Sequence, residues 1–246
     1  RSSTGLTPTP IAKHIVSSST TIENQLKRID RYVEQLIHYD TGAVRLGVGP
    51  IIEQVLLPQV LPEFVAQTGA VQLSILTENA DRLIHYLYES KLDVIAGPFD
   101  RTAYPDLTAY PLITDDLIAV ARAGHPLFRR KGGSHDDIFD YPLASPAPQG
   151  LIQSSARFTG HSKQVLCENY PLLLSLTLNS DAILRGPRVL FIEELDSGGL
   201  KLVESESTLL WRSVCLVKPE SADTPLVKLM IHLLQDACRA YPSPKT

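Results

Sequence analysis

No apolar run in this 246-residue chain approaches the ~18 residues that a membrane span needs. The densest, residues 172–178, is far too short. The first residues do not pair a charged stretch with an apolar one, so a secretory leader is not expected, and a start at Arg1 rather than Met is expected of a piece of a longer protein. Cysteine is scarce: Cys167, Cys215 and Cys238 are odd in number, widely spaced and without a C-x-x-C pair. That pattern offers neither a disulfide framework nor a structural zinc site, and a reducing cytoplasm suits it best. A thiol redox switch is not expected either, because no resolving cysteine lies near a sensor one in the chain. Charge of one sign is also lacking. A net charge of −4 gives no bulk pull toward nucleic acid or anionic membranes.

Signatures of catalysis are missing as well. Gly47-x-Gly49 lacks the third glycine of a dinucleotide loop, since Ile52 stands in its place. There is no G-x-x-x-x-G-K-[ST], no G-x-S-x-G, and no histidine pair four residues apart. His135-Asp136-Asp137 lies in a glycine-flanked polar loop and reads as solvated, and Glu193-Glu194 reads as a rim or surface pair. We therefore expect no catalytic residues, no metal ligands and no cofactor.

What is present is an ordinary globular composition, 43% hydrophobic and 20% charged, long enough for one large domain or two small ones. Thr9 can cap a helix and Pro10 suits its first position. From there Ile11, Ile15, Ile22, Leu26, Ile29, Val33 and Leu36 recur at steps of three and four, with Ser18 filling one seam position. This is a heptad seam with one stutter, expected to end at Gly42. A narrow apolar seam on an arm of roughly 45 Å needs a partner, and a two-chain coiled coil supplies one. Packing on its own domain is the alternative.

The period changes at Ala43. Residues 43–49 read as a buried strand, 51–68 as a helix interrupted by Pro58 and Pro62, and 71–76 as a strand. A helix capped by Asn79 and a strand over 92–96 follow. Alternation of this kind predicts parallel pairing with right-handed crossovers. Two strands, 107–113 and 117–121, then lead to a polar loop over 129–137. A second α/β set reads as a strand at 141–144, a helix after Gln149, a strand at 164–167, a helix from Tyr170 to about Leu184 and a strand at 189–192. A last strand spans 209–217, and Thr224-Pro225 opens a terminal amphipathic helix that ends before Pro242. Two α/β lobes joined by two crossings result, with a natural ligand crevice between them.

Several segments resemble one known family in order and spacing. RSSTGLTPTPIAKHIV resembles the end of the LysR-type winged helix-turn-helix and the start of its linker helix. GAVRLGVG resembles the opening strand of the sensor domain, LLPQVLPEF its L-L-P-x-x-L-x-x-F helix, and LYESKLDVIAGP its L-x-x-G-x-L-D-L-A-I-G element. The resemblance covers essentially the whole chain. It implies a two-lobed type 2 periplasmic-binding-protein-like α/β fold preceded by a long linker helix. Residues 1–42 are then a remnant of the wing plus the linker helix, residues 43–121 and 209–246 form lobe I, and residues 122–208 form lobe II. It further implies a small-molecule effector, homodimers or homotetramers built through Ile15, Ile22, Leu26, Ile29, Val33 and Leu36, and promoter DNA bound only by a domain preceding Arg1. Three departures stand out. Pro50, Ile51 and Ile52 replace the hydroxyl residues that hold a carboxylate after the first strand. Ser90-Lys91 replaces a glycine before Leu92-Asp93. The glycine-rich segment of the second lobe has become NSDAILRGPRVLF.

In a doubly wound sheet the ligand sits beyond the carboxyl ends of the strands. That rule points to Pro50, Ile51, Asn79, Gly97 and Phe99 in lobe I and to Ser145, Gln149, Gly150 and Asn179 in lobe II. Bulk at Ile51 and Phe99 predicts an effector with a substantial apolar part, oriented by Asn79, Ser145 and Gln149, while N–H groups near Ile51 and Gly150 can still donate to an acidic oxygen. The leading reading is thus the effector-binding and oligomerisation part of a ligand-responsive transcription regulator. A free-standing solute-binding protein of the same fold is the alternative, but the heptad helix argues against it. An enzyme on this scaffold is the third reading, and no nucleophile, base or cofactor loop supports it.

Overall fold

The computed structural model describes residues 9–37, 41–129, 138, 140–146, 163–203 and 209–241. The wing remnant, the loop with His135, the helix expected after Gln149, Gln149 and Gly150 themselves, and Pro242 lie outside them.

Helix α1 (Pro10–Ile37) begins as its capping residues dictate: Thr9 Oγ1 accepts the Ala12 N–H at 3.1 Å. Its main contacts are with the first strand and the last helix, and Ile11, Ile15, Ile22, Leu26 and Ile29 are all more than half exposed. The side chains of Val33 and Leu36 lie outside the described residues. The helix does not run to Gly42, which already belongs to strand β1 (Thr41–Val48). Its φ of 143° explains a glycine at the strand entrance without a helix cap.

Lobe I follows the expected alternation. After β1 come α2 (Pro50–Val55), α3 (Leu57–Gln67), β2 (Ala70–Thr77), α4 (Ala80–Tyr88) and β3 (Val94–Gly97). The proline-interrupted helix is two helices, broken at Leu56 just ahead of Pro58. Gly47 lets α4 sit close on β1: a Cβ there would stand 2.5 Å from Leu92 and 2.7 Å from Leu83. Ser90 occupies the glycine position with φ 55°, a left-handed conformation that costs a non-glycine residue energy. Its buried hydroxyl accepts from Lys218 Nζ at 2.9 Å.

The two strands expected over 107–121 are one. Strand β4 (Thr108–Arg122) runs unbroken for 15 residues because Thr114-Asp115-Asp116, read as a gap, keeps the extended backbone. Lobe II then supplies β5 (Leu143–Ser145), β6 (Gln164–Leu166), α5 (Tyr170–Leu178), β7 (Ile183–Pro187), α6 (Ile192–Asp196) and β8 (Leu200–Val203). Here two expectations fail. Helix α5 stops at Asn179, whose side chain donates to Ser175 O at 2.8 Å, rather than running to Leu184. The strand expected at 189–192 lies instead at β7, and residues 188–191 form a 3-10 turn that opens α6. Chain return follows through β9 (Leu210–Val217), α7 (Pro219–Ala222) and α8 (Pro225–Cys238), which buries Leu226, Met230, Leu233, Leu234 and Ala237 as its period requires.

The strand order is β2-β1-β3-β9-β4-β7-β5-β6, with β8 also on β4. Residues 108–116 of β4 pair with β9, whereas residues 117–122 pair with β7 and β8. One strand thus serves both lobes. Each lobe has the same winding: β1 lies between parallel β2 and β3, and β5 lies between parallel β6 and β7. The direction of winding reverses at β1 and at β5, so each carboxyl end opens onto a crevice.

A largely buried ion pair ties β1 to the start of β3 in lobe I. Arg45 donates to both oxygens of Asp93, at 2.8 Å and 3.1 Å, and its backbone N–H donates to the same carboxylate at 2.9 Å. Asp93 is buried, so removing its carboxylate strands three donors. Asp93→Ala is expected to lower unfolding stability by about 2–3 kcal/mol in urea titration. A loss below the error of the titration would mean that water replaces the carboxylate without cost.

Candidate functional site

The carboxyl ends of β1, β2 and β6 face one another across the lobes and enclose a crevice of about 470 Å³. Lobe I contributes Pro50, Glu53 and Gln54 from α2 and Thr77, Glu78 and Asn79 from the end of β2. Lobe II contributes Glu168, Asn169, Tyr170 and Pro171 from the start of α5. A smaller recess of about 50 Å³ shares Pro50, Glu78, Asn79, Glu168 and Tyr170 with the crevice. It reaches inward past Pro98 and Pro146 to Trp211.

Three helices begin at this crevice, which ordinarily makes a place for an anion. Here some of their N–H groups are taken or absent, although Gly49 puts no side-chain cap on α2. Pro50 starts α2 and has no N–H to offer. Asn79 Oδ1 accepts the Arg82 N–H of α4 at 3.1 Å, and Asn169 Oδ1 accepts the Leu172 N–H of α5 at 3.0 Å. Pro171 removes a further donor from α5. A carboxylate stands at each start as well: Glu53 in the first turn of α2, Glu78 before α4 and Glu168 before α5. Glu78 is paired with Arg82 at 2.8 Å. Desolvation pushes the Glu168 carboxyl above its ordinary value. The Tyr170 hydroxyl is pushed up by burial and then by Glu168. No lysine, arginine or histidine among the described residues lines either cavity.

The floor lies where β4 meets β9. Trp211 is 1% exposed, stands opposite Asp115, and its indole Nε1 has no acceptor. The Asp115 carboxylate accepts the Val189 N–H at 2.6 Å, tying the 3-10 turn of lobe II to the crossing. Burial pushes Asp115 upward in pKa, against the two backbone hydrogen bonds that favour its charge. Gln54 Oε1, on the crevice wall, is buried without a donor.

The residues read from the sequence are distributed unevenly. Pro50 and Asn79 line both cavities, and Ile51 reaches the recess. Gly97 and Phe99 do not line either. Phe99 packs with Leu83, Ile84, Leu87, Leu92 and Ile95 in the core of lobe I, and a Cβ on Gly97 would stand 3.2 Å from its ring. Ser145 spends its carbonyl on the Cys167 N–H at 3.1 Å, and its neighbour Pro146 lines the recess in its place. Asn179 lies at the opposite end of α5, roughly 13 Å from the crevice by helix rise, because the turn it occupies enters β7 at the amino end. Glu168 and Tyr170 escaped notice although the same carboxyl-end rule selects them once β6 is known to run parallel to β5. Trp211 gave no signal, since its place depends on which part of β9 pairs with Asp115.

The sequence matches the LysR substrate binding domain over residues 38–239. The chain belongs to that family. Among LysR-type relatives, it is 28% identical over 184 residues to the SDS degradation transcriptional activation protein of Pseudomonas sp. strain ATCC 19151, covering 72% of this chain and 60% of that one. It is 27% identical over 233 residues to the HTH-type transcriptional regulator GalR of Pseudomonas putida, covering 89% and 59%. The chain thus spans about 60% of the length of these relatives. In fold it is similar to full-length LysG of Corynebacterium glutamicum, solved with bound effector Arg, with TM-score 0.70 and 11% identity over 97% of this chain and 81% of that one. The CrgA regulatory domain of Neisseria meningitidis gives TM-score 0.66 and 15% identity over 80% and 99%. These likenesses fix the two-lobed periplasmic-binding-protein-like fold.

No cysteine lines the crevice of this LysR-type domain. Burial pushes the Cys215 thiol up, with nearby Cys238 adding to the effect, and burial pushes Cys238 up to about 12. Such thiols are poor nucleophiles. Phe99, by contrast, tests wall against core. Phe99→Ala is expected to cost roughly 3–5 kcal/mol of stability while leaving the Trp211 environment unchanged in near-ultraviolet dichroism of the folded variant. A variant of unaltered stability with a shifted tryptophan signal would return Phe99 to the crevice wall.

Proposed function

We propose that this chain is the effector-sensing and oligomerisation part of a ligand-responsive transcription regulator, and that a small molecule occupies the crevice between α2, α4 and α5. The observation that carries the reading is a family match across nearly the whole chain that coincides with a built interlobe cavity. Sensing rather than catalysis suits that cavity, whose wall offers carboxylates and amides but no activated nucleophile. Pro50, Ile51 and Asn79 remain effector contacts in this reading, joined by Glu168, Tyr170 and Trp211. Among the described residues no helix is long and apolar enough to cross a membrane, and we infer a cytoplasmic regulator. Residues 43–116 with 209–241 act as lobe I and 117–203 as lobe II, the change falling within β4.

Promoter DNA is read, in this proposal, by a part of the intact regulator that these residues do not contain. Specific readout requires an element that reaches base edges, and the net charge of −4 supplies no substitute. Gel-shift titration at physiological salt is expected to show specific DNA binding by the intact gene product and none by this chain. Nanomolar, sequence-dependent binding by the chain alone would overturn the division of labour.

The exposed seam on α1 is the natural place for a second copy. Leu26 and Ile29 are 58% and 55% exposed, and burying such side chains contributes about 1.5–3 kcal/mol each. Leu26→Asp with Ile29→Asp is expected to weaken self-association at least ~100-fold in sedimentation equilibrium. A wild-type chain that sediments as a monomer at micromolar concentration would remove α1 as the interface.

A further inference from the structure

We propose that the crevice takes a small organic cation, an ammonium or amidinium joined to a flat apolar body, with its charge between Glu53 and Glu168 and its body against Tyr170 and Trp211. This rests on the reading of the crevice as the effector site.

Charge comes first. Glu53, Glu78 and Glu168 all line the wall, and only Glu78 is neutralised, by Arg82 at 2.8 Å. No basic side chain among the described residues lines either cavity. An anion brought here meets two uncompensated carboxylates, and fewer backbone donors offset them than three helix starts ordinarily supply. Pro50 and Pro171 carry no N–H, and Asn79 and Asn169 already occupy those of Arg82 and Leu172. A cation meets the same two carboxylates, both at exposed positions, and can make charge-assisted hydrogen bonds to them.

Two orphaned polar atoms give independent witness. Gln54, which lines the crevice, has a buried Oε1 with no donor. Trp211 Nε1 is a buried donor on the recess with no acceptor, in a side chain 1% exposed. Buried polar groups without partners are costly, and a pair of opposite kind, one beside the crevice and one beside the adjoining recess, points to a ligand with donors at one end and an acceptor, a hydroxyl or carbonyl, at the other. The body between them is set by the walls. Pro50, Ile51, Pro98, Pro146, Tyr170 and Trp211 line the recess with apolar or aromatic surface, and aromatic faces also attract cations.

Carboxylates near helix starts also complement the helix dipole without any ligand. The two explanations separate by experiment. Benzylammonium, benzyl alcohol and benzoate share one body and differ in charge. Trp211 is the only tryptophan, so its fluorescence and its indole N–H resonance report the recess without labelling. Titration of the chain at millimolar concentration is expected to rank benzylammonium above benzyl alcohol, with benzoate leaving Trp211 unmoved. Glu53→Gln with Glu168→Gln, both exposed positions, is expected to weaken benzylammonium about tenfold or more and to leave benzyl alcohol unchanged. Glu168→Lys is expected to invert the ranking toward benzoate. If benzoate moves Trp211 as readily as benzylammonium in the wild-type chain, the cation assignment is wrong and the crevice remains the effector site. If only the neutral probe binds, or the double variant keeps full affinity for benzylammonium, the carboxylates serve the helices alone and the assignment again fails. If none of the three moves Trp211, the crevice itself is not the site.

Discussion

Everything in this fold depends on one strand being shared by two sheets. Strand β4 gives residues 108–116 to β9 and residues 117–122 to β7 and β8, so neither lobe can lose it without the other. The sharing demands a change of direction, and the register of β4 against β9 shifts between Pro111 and Thr114 to provide it. A bulge of that kind leaves backbone groups unpaired. Here the buried Ser213 hydroxyl accepts the Ile113 N–H at 3.1 Å and donates to the Ile113 carbonyl at 3.2 Å, so both are satisfied within the bend. Asp115, two residues on, then holds lobe II by the Val189 N–H. The bend is thereby satisfied in its hydrogen bonding, and Trp211 of the same crossing lines the recess above it.

The crevice is where two copies of one winding rule confront each other. β1 and β5 each lie between parallel neighbours, and the helices that follow the surrounding strands start at the gap. Such a gap has a positive potential by default, because helix starts present unpaired N–H groups. This chain weakens the default locally, through prolines that have no N–H, asparagines that each take one, and carboxylates set beside them. The fold decides where a ligand goes, and the residues at three helix starts decide the sign of its charge.

Much of this was legible from the sequence. The heptad seam, the cap at Thr9, the alternation of lobe I, the Asn79 cap and the apolar face of α8 all follow from periods and capping residues that local physics enforces. What was not legible depends on partners distant in the chain. Thr114-Asp115-Asp116 looks like a break between two strands because its polarity is locally unfavourable, yet pairing with Leu210, Trp211 and Arg212 carries the strand through. The carboxyl-end rule places Asn179 at the crevice, but it closes α5 ahead of the amino end of β7, and only strand direction tells the two ends of lobe II apart. Phe99 follows a strand end as the rule asks, but its backbone N–H donates to Gly97 O at 3.0 Å and the tight turn sends its ring back into lobe I. Position relative to a strand end was readable; the direction of a side chain was not.

The position of Trp211 ties these strands of reasoning together. It stands opposite Asp115 in the β4–β9 ladder and also forms the inner wall of the recess. A group that hydrogen-bonds to its indole therefore acts one residue pair from the carboxylate that fastens lobe II. Any ligand shifts a two-state equilibrium only by its difference in affinity for the two states. Contacts confined to α2 and α4 lie wholly in lobe I and are the same whatever lobe II does. Contacts that pair Gln54 or Glu53 of lobe I with Glu168 or Tyr170 of lobe II exist only at one separation of the lobes. A ligand that spans the wall thus favours one arrangement of the β4–β9 crossing, and one that touches a single lobe does not.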